Sequence, residues 1–162
     1  MPSSTSKGRG GLDTVELLHA SGATATVYLW GATLTSYCTA QREEMIFVSP
    51  GAVFDGTQPI RGGVPVVFPW FGDHPVDDQM PAHGFARSCE WQVVATAPSA
   101  VTLALRDDAE TLAAWPHEFS LELHVALTET LQLRLTTHNP AERALTFEQA
   151  LHTYFAVGDV RT

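Results

Sequence analysis

Cysteine is nearly missing from this chain: Cys38 and Cys89 are the only two in 162 residues. Two thiols build no disulfide framework, so the expectation is a reducing compartment, the cytoplasm, and a fold held by its core. Positive charge is scarce too, nine Lys plus Arg against eighteen Asp plus Glu, for a formal net charge of −9. That balance works against nucleic-acid partners and anionic membrane surfaces. An anionic small molecule would need a local cluster of arginines. No apolar run approaches the ~18 residues that span a bilayer, and the opening MPSSTSKGRGGLD lacks the apolar core of a signal peptide. Several chemistries lack their motifs. There is no G-x-S-x-G elbow and no Cys/His pair for a covalent nucleophile. There is no H-x-H, H-x-x-H or C-x-x-C to start a metal site, and GRGG at 8–11 has no strand before it to make a nucleotide loop. No metal and no cofactor are expected.

What is present is apolar and strand-like. Hydrophobic residues make up 44% of the chain and charged residues 17%, which suits one domain with a sizeable core. Residues 1–11, rich in Ser and Gly, are expected as a flexible start, with the domain running over 12–162. TVELL (14–18), ATATVYLW (23–30), ATLTSYC (32–38) and EMIFVS (44–49) read as strands. A Gly/Pro-rich stretch from Pro50 to Pro81 follows, with VPVVFPWF as its buried piece. Strands resume at EWQVVAT (90–96) and VTLALR (101–106). A short helix is expected over Asp107–Trp115, capped by Asp107 or Asp108 and stopped by Pro116. FSLELHVAL (119–127) and LQLRLTTH (131–138) alternate apolar and polar, and ALTFEQALHTYFAV (144–157) reads as a last strand. The expected class is all-β, a mostly antiparallel sandwich or barrel.

Two histidines stand apart from the others. In PAHGFARSCEW, an extended reading puts His83, Phe85 and Arg87 on one face and the small Gly84 and Ala86 on the other. That spacing suits a pocket wall. His152, in ALHTYF, shares a face with Ala150 and Tyr154 inside an apolar strand, and reads either as a core histidine or as an imidazole poised near working pH. His19, His117, His124 and His138 fall at strand ends, turns or outward faces. Arg61, in PIRGG, precedes two glycines that let a ligand approach the backbone. Together with Arg87 it would grip a phosphate or carboxylate through paired hydrogen bonds. Trp70 and Phe71, in FPWFG, fit either a core or a rim that stacks on a sugar.

IRGGVPVVFPWFGDHP, MPAHGFARSCEW, WPHEFSLELHVAL and FEQALHTYFAVGDV, in this order, resemble the D-hexose-6-phosphate mutarotases (glucose-6-phosphate 1-epimerases) of the aldose 1-epimerase superfamily. The resemblance runs from about Leu12 onward. It implies a galactose mutarotase-like β-supersandwich, here truncated, and interconversion of the α and β anomers of a hexose 6-phosphate without metal or organic cofactor. It further implies His152 as general acid, His83 as an assisting group at the sugar, and Arg61 and Arg87 as phosphate ligands. Two departures stand out. Ala82 occupies a position where some members carry Gln, and the family's late base glutamate, with a further acidic residue before it, has no counterpart in the 162 residues. Glu148 shares the parity of His152 but lies about 13 Å along a strand. Two other readings fit the same residues: a phosphosugar-binding module without catalysis, and a mutarotase of unphosphorylated sugar. Half a supersandwich leaves strand edges without partners, so self-association is expected.

Overall fold

The computed structural model describes residues 5–159. Strands β1 (Ser6–Lys7), β2 (Asp13–Leu18), β3 (Thr24–Tyr28) and β4 (Leu34–Cys38) form one antiparallel sheet in chain order. Residues 1–4 of the expected flexible start lie outside the described residues; among the described ones strand pairing begins at Ser6, ahead of the expected domain start, and Arg9 lies over the Phe54 ring at 4.2 Å. After the two-residue strand β5 (Val66–Val67), a second sheet follows. It comprises β6 (Gln92–Ala97), β7 (Ala100–Arg106), β8 (Ser120–Leu127) and β9 (Leu131–His138), again antiparallel and in chain order. A single turn-and-a-half of helix, α1 (Ala109–Ala114), joins β7 to β8. Asp108 caps it: its side chain accepts the Thr111 N–H while the Thr111 hydroxyl accepts the Asp108 N–H, which ties down the first turn.

The core lies between the two sheets. Val15, Leu17, Val27 and Leu34 from the first sheet, and Leu103, Leu121, Leu123 and Val125 from the second, are all within 1% of full burial. Their period-two spacing is the alternation seen in the sequence, so one face of each strand is dry and the other wet. Phe68 and Trp91, also fully buried, fill the space where the sheets meet the connecting segments. On β9, which forms the sheet's edge, the inward residues Leu131, Leu133 and Leu135 are only half-buried.

The two expected strands at 44–49 and 144–157 take a looser form. Residues 148–156 run extended, with Glu148, His152 and Tyr154 donating backbone N–H groups to the carbonyls of Pro69, Pro65 and Gly63. Only Ala150–Leu151 (β10) make a regular ladder there, pairing with β5. Further on, Ile46 bridges Phe155, and Phe47, Phe155 and Val157 stay exposed around a cleft of about 760 Å³. Gly63 belongs to this junction. A Cβ on it would sit 2.5 Å from the Leu34 carbonyl oxygen, so close backbone packing, rather than ligand approach, requires the glycine.

The HGFAR segment corrects the sequence reading. It is a turn, not a strand: His83 has φ +65° and Gly84 φ +73°, and Ala86–Ser88 form a 3-10 turn. The N–H groups of Phe85 and Ala86 both point to the Phe68 carbonyl, at 3.0 and 3.3 Å. Gly84 lies so close that a Cβ there would fall 1.9 Å from the same oxygen. Wrapping the chain around one carbonyl turns Phe85 into the core beside Phe68, away from the side of His83.

Candidate active site

Three segments converge on the two singled-out histidines: the 68–74 loop, the 82–87 turn and the extended 148–156 stretch. The rings of His83 and His152 lie 5.6 Å apart at 67°. Phe71, half-exposed, contacts both, edge-on to His83 at 4.9 Å and nearly parallel to His152 at 6.4 Å. Tyr154 stacks on His152 itself, with ring centroids 5.0 Å apart. Alternation along 150–154 thus places His152 and Tyr154 together as expected, beside an imidazole that reaches them from a turn.

Gly72 and His83 clasp each other. The His83 N–H donates to the Gly72 carbonyl at 2.7 Å, and the Gly72 N–H donates to His83 Nδ1 at 3.1 Å. An accepting Nδ1 leaves the ring proton of the neutral imidazole on Nε2. Burial, then the positive charge of Arg87, then His152 hold the His83 pKa below its ordinary value, while Asp73 pulls the other way. The neutral, Nε2–H form is therefore the favoured one, and it offers a fixed donor.

Arg87 is half-buried beside this pair. Its Nη2 donates to the Ala82 carbonyl at 2.6 Å, which brings the guanidinium back to the residue preceding His83. Its Nε is buried and has no partner among the described residues. Burial lowers its pKa and Tyr154 opposes the shift, yet a guanidinium stays charged through the working range. A buried, unpartnered charged donor costs free energy unless something accepts from it.

The remaining sequence candidates are placed less closely. Arg61 is exposed, and its side chain forms no hydrogen bond or ion pair among the described residues. Its segment nonetheless lies beside the His152 stretch, through the Tyr154 N–H to Gly63 carbonyl bond. Trp70 is 5% exposed, with its indole N–H bound to the Pro81 carbonyl at 3.0 Å and its ring edge-on to Phe85, so it takes the core reading. Glu148 holds the loop: its carboxylate accepts the Phe71 N–H at 2.8 Å. Sequence reasoning passed over His74, whose ring meets Trp70 at 4.6 Å and whose Nδ1 accepts the Val76 and Asp77 N–H groups. The signal was FGDHP itself, an imidazole three residues past an aromatic pair. The thiol of Cys89 is pushed up to about 11, by burial first and then by Asp108 and Glu110, which leaves it inert near neutral pH.

Two sheets packed face to face, with a histidine pair carried on the irregular segments beside them, define a galactose mutarotase-like sandwich. The crystal structure titled "putative mutarotase (YeaD)" from Salmonella typhimurium superposes with a TM-score of 0.84 at 31% identity, over 98% of this chain and 52% of that one. The aldose 1-epimerase family model matches residues 13–162, and the chain belongs to that family. Two proteins named "Putative glucose-6-phosphate 1-epimerase" are similar in sequence. The one from Cenchrus ciliaris is 36% identical over 93% of this chain and 49% of its own length, and the one from Escherichia coli K12 is 40% identical over 84% and 46%. The chain spans about half the length of these relatives.

Proposed function

We propose that this chain carries the acid and the phosphate-binding side of a hexose-6-phosphate mutarotase. The observation that supports it most is the meeting of His83, His152 and Phe71 within ring-contact distance, beside a half-buried Arg87 with an unpartnered Nε. In this reading a base takes the proton of the C1 hydroxyl, the C1–O5 bond breaks as C1 becomes a carbonyl, and His152 delivers a proton to O5. Rotation about C1–C2 and the reverse steps close the ring with the opposite configuration. His83, as the Nε2–H tautomer, donates a hydrogen bond that orients the sugar. Phe71 covers its apolar face. Arg87 and Arg61 receive the phosphate. The step needs no metal or organic cofactor. It does need a carboxylate base, and the family pattern puts that base in a part of the fold outside these 162 residues.

The test is anomer exchange of glucose 6-phosphate followed by NMR magnetisation transfer. A protein containing this chain together with the later half of the family fold accelerates exchange, and His152→Ala removes the acceleration. No acceleration by that protein contradicts the reading. Arg87→Ala raises KM for glucose 6-phosphate more than for free glucose, which separates the phosphosugar from the unphosphorylated alternative. One observation favours a second reading for this stretch by itself: Glu148, the carboxylate in register with His152, is tied through Oε2 to the Phe71 N–H. That reading is phosphosugar binding without catalysis, and it predicts saturable binding of glucose 6-phosphate with no added exchange.

A further inference from the structure

A second cavity, about 480 Å³, is lined in part by the Phe71 loop, and neither His83 nor His152 lines it. Its walls come from two regions distant in sequence: the 69–76 loop with Phe71, Asp73 and His74, and the 146–148 segment with Phe147 and Glu148, closed at the back by Trp115. The volume falls within the range of small-molecule sites and exceeds that of one pyranose ring.

The lining has a particular chemistry. Phe71, Trp115 and Phe147 supply aromatic surface that suits the apolar C–H face of a sugar ring. Polar groups stand around that surface. His74 accepts two backbone N–H groups at Nδ1, so its neutral ring carries the proton on Nε2 and offers a donor. Asp73 makes no hydrogen bond among the described residues, and Glu148 uses one oxygen for the Phe71 N–H, leaving Oε1 as an acceptor. Carboxylates able to accept from neighbouring hydroxyls, one donor and aromatic faces together match a polyhydroxylated ring. Two carboxylates and no lysine or arginine in the lining repel a phosphate. Arg87 is not in this lining and belongs to the His83–His152 site, so the cavity differs in charge from that site, with Phe71 touching both.

We infer that this cavity is a second carbohydrate site, taking an uncharged pyranose. The inference does not depend on the ring-opening reading. Its probe is methyl β-D-glucopyranoside, whose blocked anomeric oxygen prevents mutarotation, so the outcome is distinguishable from that of the exchange assay. Titrated into the 162-residue chain and followed by ¹H–¹⁵N spectra, the glycoside binds saturably in the millimolar range. Its largest shifts fall on the Trp115 indole and the amides of His74 and Glu148. Asp73→Asn combined with Glu148→Gln, where the new amide oxygen still accepts the Phe71 N–H, leaves the spectrum folded and weakens binding at least about tenfold. Methyl β-D-glucuronide, which adds a carboxylate to the ring, binds at least about tenfold more weakly than the glucoside. No saturation, shifts centred on His83 and His152, unchanged affinity in the double variant, or equal affinity for the glucuronide would each overturn the inference.

Discussion

The two sheets and the site beside them are built on different principles. In the sheets, order is repetitive: β7, β8 and β9 pair residue by residue from Ala100↔Ala126 and Arg106↔Ser120 through Ser120↔His138 and Leu127↔Leu131. Every second side chain enters the core, and any one ladder bond resembles the next. In the site nothing repeats. His83 is held by its clasp with Gly72, Phe71 by the Glu148 carboxylate, and Arg87 by the Ala82 carbonyl. The sheets supply stability through area removed from water, whereas the site is positioned by single contacts between irregular segments. Removing a core side chain should therefore damage the fold, and removing a site side chain should damage function first.

The largest effect expected from this contrast is Phe68→Ala. The ring is fully buried against Phe85, Trp115, Phe119 and Phe147, and its loss should cost about 3–5 kcal/mol in denaturant unfolding. A loss below about 1 kcal/mol would mean that the core reaches less far toward the site than the contacts indicate. Gly84→Ala comes next. Its positive φ and the 1.9 Å approach of a Cβ to the Phe68 oxygen should cost about 2 kcal/mol or more. It also pushes His83 out of place, so the sugar binding proposed for that site should weaken together with stability.

A smaller effect concerns pH. The folded His83 pKa lies below the usual 6.5, so in the interval between the two values the unfolded chain holds more protons than the folded one. Stability rises with pH across that interval and is lost as pH falls through it. The His83 Cε1 proton, titrated by NMR, should show a midpoint below that of a free imidazole, and Asp73→Asn should lower it further, because Asp73 acts upward. A midpoint at or above the free value contradicts the electrostatic picture. The smallest effect is His124→Ala on the outer face of β8. There the ring bonds Thr102 at 2.9 Å, and the change should stay within about 0.5 kcal/mol.

The same contrast explains what the sequence discloses. Period-two patterns marked β2 to β4 and β6 to β9 to within a few residues, and a cap at Asp107 or Asp108 with a stop at Pro116 marked the helix, because these elements follow local rules. ALHTYF disclosed His152 with its Tyr154 neighbour, since alternation survives even where the ladder is sparse. HGFAR misled because alternate spacing carries no information about φ. Only the Phe68 carbonyl, fifteen or more residues earlier, makes a turn of it. Glu148 was visible as a carboxylate in register with His152, but its task of fixing Phe71 comes from a bond across 77 residues. His74 reads as one more loop residue until the fold sets it against Trp70.

The central claim is that His83 and His152 serve one sugar-sized site. Side-chain ¹H–¹⁵N spectra of the histidines, recorded while glucose 6-phosphate is added, test it directly. Both imidazoles should shift along saturation curves with the same Kd, while His19 and His124 stay still. Separate binding constants for the two rings, or a response from only one of them, would contradict the account.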